Sequence, residues 1–245
     1  MSFRFKQFFI NDDRCAMKVG TDGVLLGAWT PTDNSQKPTA NILDIGTGCG
    51  LVALMLAQRC PEAHINAIDI DEAAVEQAKE NFANSPWSDR LNAVGSPLQD
   101  WKNHQSQITN YHYYDLIVSN PPYFNNSLKN PDKVRQTARH TDTLSYEELL
   151  CHSARLLTQN GMLALILPAE AETEVRELAA TFQLTLTHLT RVYSKESKPV
   201  RRVLMAFAKT LETQNSRTLE DTLILEDDKG GRSRPYQELC KEFYL

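Results

Sequence analysis

The 245-residue chain is 41% hydrophobic and 23% charged, which is typical of a globular protein with a sizeable core. No apolar run reaches the roughly 18 residues of a membrane-spanning helix, and the five cysteines include no C-x-x-C pair, so neither a disulfide framework nor a zinc site is indicated. The net charge of −5 disfavours nucleic-acid binding through overall charge and leaves only local basic patches for that role. We expect a soluble, cytoplasmic, monomeric protein without a membrane segment, a metal or an obligate protein partner.

Strands and helices alternate along most of the chain. Phe3 to Asn11 has strand character, Met17 to Trp29 combines glycine turns with an apolar run, and a polar, turn-rich loop covers residues 31–40. The strand-like runs that follow are NILDI, HINAID, RLNAV, YDLIVS and MLALIL, and the helical segments are LVALMLAQR, DEAAVEQAKENFANS, YEELLCHSARLLTQNG and AEAETEVRELAATF. Gly161 stands where a C-cap would end the third of these helices. Two segments of period-two alternation, LTLTHLTRVY and RRVLMAF, then follow without a helix between them.

This pattern predicts an α/β fold. The alternation favours a doubly wound, mostly parallel sheet that is covered by helices on both faces, and the last two strands favour an antiparallel C-terminal hairpin. We expect residues 41–245 to form this domain and residues 1–40 to form an N-terminal extension with a strand or hairpin. Ligands of such sheets bind beyond the carboxyl ends of the strands, near the switch point of the strand order.

A glycine-rich loop, GTGCG, links the first strand of the alternation to the helix after it. Glycines in such a loop allow a tight turn and let a ligand approach main-chain amides; they are Gly46, Gly48 and Gly50. A dinucleotide fingerprint would need a further glycine at Leu51, which disfavours nicotinamide binding. With Asp44 before it and Asp69 after the next strand, where a carboxylate can accept ribose hydroxyls, the loop resembles the first motif of S-adenosylmethionine-dependent methyltransferases. The alternative is a tight turn beside an incidental surface acid.

The fourth strand of the alternation ends in Asn-Pro-Pro-Tyr, at the same edge of the sheet as the glycine loop. The side-chain oxygen of Asn120 and the carbonyl of Pro121 can accept both N–H bonds of a planar amino group, which localises the nitrogen lone pair. Pro122 stiffens this backbone, and Tyr123 can stack on a flat base. The motif therefore indicates N-methylation. The alternative is a proline-rich turn in which Tyr123 is a packing residue.

Several segments together are similar to the bacterial tRNA(Val) adenine-37 N6-methyltransferases. These segments are KQFFI, MKVGTDGVLLGAW, LDIGTGCGLVALMLAQR, SPW, IVSNPPYF and RRVLMAF. The resemblance implies a Rossmann-like class I methyltransferase fold with seven strands, S-adenosyl-L-methionine as cofactor, and N6-methylation of adenine 37, beside the anticodon of tRNA1(Val).

The resemblance also implies site residues. The catalytic set is Asn120, Pro121, Pro122 and Tyr123, and the cofactor-binding set is Lys18, Thr21, Asp22, Asp44, Gly46, Gly48, Gly50, Asp69, Ile70, Ser96 and Asn120. In this set Lys18 to Asp22 would cover the cofactor, and the alternative is a packed N-terminal hairpin. One departure concerns Ser96 and Pro97, which stand where the family usually has an acid that meets the adenine amine.

Two basic segments flank the same edge of the predicted sheet. The candidate tRNA contacts are Lys129, Lys133, Arg135, Arg139, His140, Lys195, Lys198, Arg201 and Arg202; the alternative is ordinary solvated loops. Two other functions stay open. One is N5-methylation of a protein glutamine, since release-factor methyltransferases also use Asn-Pro-Pro-Tyr, although only about 40 residues precede the first sheet strand here, which is too few for their helical substrate domain. The other is a non-catalytic RNA-binding protein on a methyltransferase fold.

Overall fold

The computed structural model describes residues 2–32, 41–101, 113–121, 144–209 and 217–244. The strands are β1 (Ser2–Arg4), β2 (Phe9–Asn11), β3 (Asn41–Ile45), β4 (His64–Asp69), β5 (Leu91–Gly95), β6 (Tyr114–Ser119), β7 (Leu157–Pro168), β8 (Leu184–Tyr193), β9 (Val200–Lys209) and β10 (Leu219–Ile224). The helices are α1 (Thr21–Trp29), α2 (Leu51–Arg59), α3 (Glu72–Ala83), α4 (Tyr146–Leu156), α5 (Glu172–Thr181) and α6 (Arg234–Cys240), with short 3₁₀ turns at Leu98–Asp100 and Ala169–Ala171.

Within these residues, eight strands form one sheet in the order β10-β8-β9-β7-β6-β3-β4-β5. Strands β3 to β7 are parallel, and β9 lies between β7 and β8 and is antiparallel to both. The predicted doubly wound sheet with an antiparallel C-terminal pair is confirmed. The sheet has one strand more than expected, because β10 pairs in parallel with β8 at the edge. Four of the six residues of β10 are exposed, and its polar residues stand together instead of alternating with apolar ones.

Helices cover both faces of the sheet. Strand residues alternate between the faces: Ile42 and Leu116 join a cluster with α1, α2, α3 and α6, whereas Leu43 and Ile117 join a second cluster with α4 and α5. Both clusters consist of side chains that are almost completely buried. The two-sided core keeps the sheet rigid and holds the carboxyl ends of its strands in fixed positions.

The N-terminal residues pack on the first of these faces. Asn81 of α3 accepts a hydrogen bond from the Asn11 amide (3.0 Å) and donates one to the Asn11 carbonyl (2.8 Å). Helix α1 lies so close to α2 that a Cβ atom at Gly27 would come within 2.7 Å of the Met55 sulfur. These contacts fix the hairpin of β1 and β2, and α1 after it, against the domain.

Gly161 is not a helix cap, and that prediction is wrong. Helix α4 begins with a capping box between Ser145 and Glu148 and ends at Leu156, where the chain turns directly into β7. Gly161 lies inside β7, where an added Cβ atom would be 2.9 Å from the Tyr114 carbonyl oxygen. The glycine therefore permits a close approach of two backbones.

Candidate active site

The site forms where β3 and β6 end side by side. Ile45 of β3 is level with Ser119 of β6 in their parallel ladder, so Gly46 and Asn120 are the next residues of two neighbouring strands. A hydrogen bond of 2.8 Å from the Ser119 hydroxyl to the Ile45 carbonyl holds these ends together. The strand order reverses at this point. On one side of β3 lie β4 and β5, and on its other side lie β6 and β7. Ligands of doubly wound sheets bind at such a crevice.

The glycine loop needs glycine at three positions, for two different reasons. Gly46, Gly48 and Gly50 have φ values of 70°, 55° and 85°, in the left-handed region that favours glycine. A Cβ atom at Gly46 or Gly48 would meet no atom within 4 Å, so the backbone there faces open space. At Gly50 it would lie 2.5 Å from the Phe82 ring. The first two glycines thus leave room for a ligand, and the third allows α2 to pack against α3.

Asp44 places a buried carboxyl beneath this loop. Its side chain is 1% exposed and accepts a hydrogen bond of 2.7 Å from the Thr47 hydroxyl. Burial raises the pKa of Asp44 to about 7, against the opposing effects of the Thr47 hydroxyl and the Ala53 amide. The nearby charge of Asp69 raises this pKa further. Such a carboxyl ionises more readily when a cation binds beside it.

Asp69 braces the far side of the loop. Its Oδ2 accepts a hydrogen bond from the Gly48 amide (2.8 Å) and its Oδ1 one from the Asp71 amide (3.0 Å). Each carboxylate oxygen has a second acceptor position, so two hydroxyls can still bind. Ile70 beside it is 58% exposed and offers an apolar surface. The Ser96 hydroxyl is buried and donates to the Pro97 carbonyl (3.0 Å), so its proton is already used.

Residues 17–23 form the opposite wall of a cavity of about 340 Å³, which is within the range of roughly 300–1,000 Å³ for small-molecule sites. Asp12 orders this wall by accepting a hydrogen bond of 3.0 Å from the Val19 amide. The Lys18 ammonium donates to the Asp12 and Asp13 carbonyls (2.7 and 3.1 Å), which closes the loop before α1. In the first turn of α1, Asp22 pairs with Arg202 at 2.9 Å.

Asn120 lies at the border of the cavity. Its Oδ1 is buried and has no hydrogen-bond partner among the described residues. A buried amide oxygen without a partner is costly, because it has lost its water without gaining a donor. This oxygen is therefore available to an N–H group of a ligand. Pro121 after it is buried, and Pro122 and Tyr123 lie outside the described residues.

The cavity brings together seven of the predicted cofactor residues, which are Lys18, Thr21, Asp22, Asp44, Gly46, Gly48 and Asn120. Gly50, Asp69, Ile70 and Ser96 are not part of its lining. Gly50 is the N-cap of α2, and the other three lie at the ends of β4 and β5. Val19 and Gly20 also line the cavity, within the predicted covering segment from Lys18 to Asp22. Sequence reasoning missed the lining residues Met17, Gly23, Thr47, Cys49, Leu51 and Val52. Of these, Thr47 and Cys49 alternate with the glycines of the loop, so their positions in the motif could have identified them as lining residues.

Two of the four described tRNA candidates are already paired within the protein. Lys195 forms an ion pair of 3.2 Å with Glu226, in which both side chains are nearly half exposed, and Arg202 binds Asp22. Lys198 and Arg201 are exposed at the start of β9. The remaining candidates, Lys129, Lys133, Arg135, Arg139 and His140, lie outside the described residues.

The fold and the crevice define a class of protein, the Rossmann-like methyltransferases. A predicted O-methyltransferase from Agrobacterium tumefaciens shares this fold with a TM-score of 0.70 over 91% of this chain and 96% of that chain, at 16% identity. The sequence model of the methyltransferase small domain matches residues 31–192, and the chain belongs to that family.

Curated relatives match almost the whole chain. The tRNA1(Val) (adenine(37)-N6)-methyltransferase of Bacteroides fragilis is 46% identical over 243 residues, which cover 99% of this chain and 97% of the relative. The protein of the same name from Porphyromonas gingivalis is 43% identical over 99% of this chain and 94% of the relative. In the described residues no helix is long and apolar enough to cross a membrane, and no group of acidic, His and Cys side chains could hold a metal ion.

Proposed function

We propose that this protein transfers a methyl group from S-adenosyl-L-methionine to N6 of adenine 37 in tRNA1(Val). The observation that carries the proposal is the buried Oδ1 of Asn120, which borders the cavity beside the glycine loop and has no hydrogen-bond partner in the part of the chain that the structure describes. The name shared by relatives that are 42–46% identical over 99% of the chain supports the nucleic acid and the nucleotide. A tRNA substrate would place the enzyme in the cytoplasm.

The residues of the crevice suit the proposed cofactor. Gly46 and Gly48 leave open space above their backbones, and Asp69 keeps acceptor positions for two ribose hydroxyls. Asp44 supplies a buried carboxyl that gains from a neighbouring positive charge, and S-adenosylmethionine carries such charge on its sulfonium and ammonium groups. Ile70 can cover one face of an adenine ring. Ser96 would contact the adenine through its backbone or its surface shape, because its hydroxyl already donates a hydrogen bond to the Pro97 carbonyl.

The chemistry assigned to the protein is the activation and alignment of an amino group. Bound S-adenosylmethionine supplies an electrophilic methyl group. Asn120 Oδ1 accepts one N–H bond of the adenine amine, and the Pro121 carbonyl accepts the other, so that the nitrogen lone pair becomes localised. Pro122 would hold this geometry and Tyr123 would stack on the base. Most of the rate then comes from alignment, since the alkylated amine loses its proton to water without a dedicated base.

The tRNA would approach over Lys198 and Arg201, which are exposed just before and within the start of β9. Lys195 can join them, because an ion pair as exposed as that with Glu226 contributes little and yields to a phosphate. The basic candidates between residues 129 and 140 would contribute further contacts. Local contacts of this kind are compatible with a net charge of −5.

Methyl transfer to defined substrates tests the proposal. The purified protein is incubated with tritiated S-adenosylmethionine and, separately, with tRNA1(Val) transcript, the same transcript with guanine at position 37, and a release factor. We expect label in the first transcript alone, recovered as N6-methyladenosine after digestion. Label in the release factor would favour glutamine methylation, and tRNA binding without label would favour a non-catalytic RNA-binding protein.

A further inference from the structure

We propose that Arg202 is a positioning residue for the cofactor, because it holds the cavity wall in place through its ion pair with Asp22. Arg202 Nε lies 2.9 Å from Asp22 Oδ2, and the two side chains are each 26% exposed. This contact joins residues that are 180 positions apart in the chain. The inference rests on the proposed function and deepens it, since it moves Arg202 from the tRNA contacts to the cofactor site.

Arg202 is mounted on a rigid part of the sheet. It lies opposite Pro168, the last residue of β7, in the antiparallel ladder of β7 and β9. The next residues of β9, Val203 and Leu204, are completely buried. Leu165, which precedes Pro168 by three residues in β7, pairs with Ser119 of β6. Arg202 therefore stands on the same edge of the sheet as Asn120, and its backbone cannot move without disturbing the core.

Asp22 belongs to the cavity wall formed by residues 17–23. It lies in the first turn of α1, whose N-cap residue, Gly20, makes no side-chain cap. The wall before it, residues 17–20, is held by the bonds of Asp12 to Val19 and of Lys18 to main-chain carbonyls. The pair with Arg202 links this wall to the sheet. Without the pair, the first turn of α1 loses this link to the sheet while Asp22 still lines the cavity.

A purely electrostatic role for Arg202 predicts the opposite result for a cationic ligand. Removing the guanidinium makes the cavity more negative, beside Asp22 and Asp44, and would strengthen binding of a cation. Loss of an anchor instead weakens binding, because part of the binding energy is then used to order the wall. The sign of the change in affinity therefore separates the two roles.

The experiment measures binding of S-adenosylmethionine, which is a cation because of its sulfonium group, by calorimetry for the wild type, Arg202→Met, Asp22→Asn and the double variant. We expect the Kd to rise about five- to tenfold in each single variant and no further in the double variant, as for two members of one contact. Arg202→Lys should recover part of the affinity, since an ammonium keeps the charge but not the planar geometry.

Arg191→Met is the matched control. Arg191 lies on β8, opposite Val203 of β9, and forms ion pairs with Glu172 and Glu220. Its side chain is 31% exposed, similar to that of Arg202, but it does not line the cavity. The Arg191→Met substitution should lower the melting temperature about as much as Arg202→Met does, while leaving the Kd for the cofactor unchanged. In turnover, Arg202→Met should raise the KM for the cofactor and leave the KM for tRNA within twofold.

Three outcomes would overturn the inference: an unchanged or tighter Kd in Arg202→Met, additive losses in the double variant, or an effect confined to the KM for tRNA. If Arg202→Met fails to fold, Asp22→Asn and Arg202→Lys carry the same comparison. If the wild type itself does not bind S-adenosylmethionine, the proposed function fails. If the wild type binds and the variants bind equally well, only the role of Arg202 fails.

Discussion

Replacing Asp44 by asparagine should stabilise the empty protein and weaken its cofactor site. The folded protein raises the pKa of this carboxyl from 3.8 to about 7 by burying it. One pKa unit corresponds to about 1.36 kcal/mol, so the ionised carboxyl costs the folded state about 4 kcal/mol above pH 7. Asparagine keeps an acceptor for the Thr47 hydroxyl but loses one for the Ala53 amide, at a cost of about 1–3 kcal/mol. The net gain at pH 8 is about 2 kcal/mol, or roughly 6 °C in Tm.

The pH dependence has a defined sign. Between pH 4 and pH 7 the folded protein keeps a proton on Asp44 that the unfolded chain has released, so the stability contributed by this group falls as the pH rises. Asp44→Asn removes this fall. Its advantage over the wild type should therefore be present at pH 8 and absent at pH 4, where both side chains are neutral.

Guanidinium unfolding at several pH values, with and without S-adenosylhomocysteine, measures both effects. The variant should be more stable than the wild type at pH 8, whereas its Kd should be about tenfold higher, because the ammonium group of the ligand loses a nearby negative charge. Parallel pH profiles of the two proteins would refute the reasoning about burial. An unchanged Kd would refute the role of Asp44 in the site.

Further predictions concern packing and tRNA binding. Gly50→Ala should lower the free energy of unfolding by about 2–4 kcal/mol, because it combines a left-handed backbone with a clash against Phe82; the control Gly230→Ala, with φ of 81° and open space, should cost only about 1 kcal/mol in the same denaturant titration. Charge reversal of Lys198 and Arg201 should weaken tRNA binding about tenfold in filter assays at low salt and leave S-adenosylhomocysteine binding unchanged. Equal tRNA affinity of the reversed protein would remove these residues from the interface.

Features encoded by short segments were predictable from the sequence. The glycine loop, Asp44 and Asn120 each belong to a motif of a few residues, and the sheet follows from the alternation of apolar patterns. The parallel order then brings β3 and β6 together, so their two motifs share one crevice. The register of these strands, with Ile45 level with Ser119, is a property of the folded sheet and is visible only in the structure.

Features that depend on distant contacts were not predictable. Arg202 looked like one of several exposed basic residues, and its pairing with Asp22 exists only because the fold brings the first turn of α1 next to the start of β9. Gly161 looked like a helix cap because its true constraint, the Tyr114 carbonyl, belongs to another strand. Strand β10 has no apolar alternation, since it is a largely exposed edge strand.

The most direct test of the account is a comparison of Asn120→Ala with the wild type in methyl transfer to tRNA and in S-adenosylhomocysteine binding. The account assigns Asn120 Oδ1 to the amino group of the substrate, so the variant should fold, bind S-adenosylhomocysteine within about threefold of the wild type, and lose kcat by about 100-fold or more. A variant that keeps more than about a tenth of the wild-type kcat would contradict the central claim.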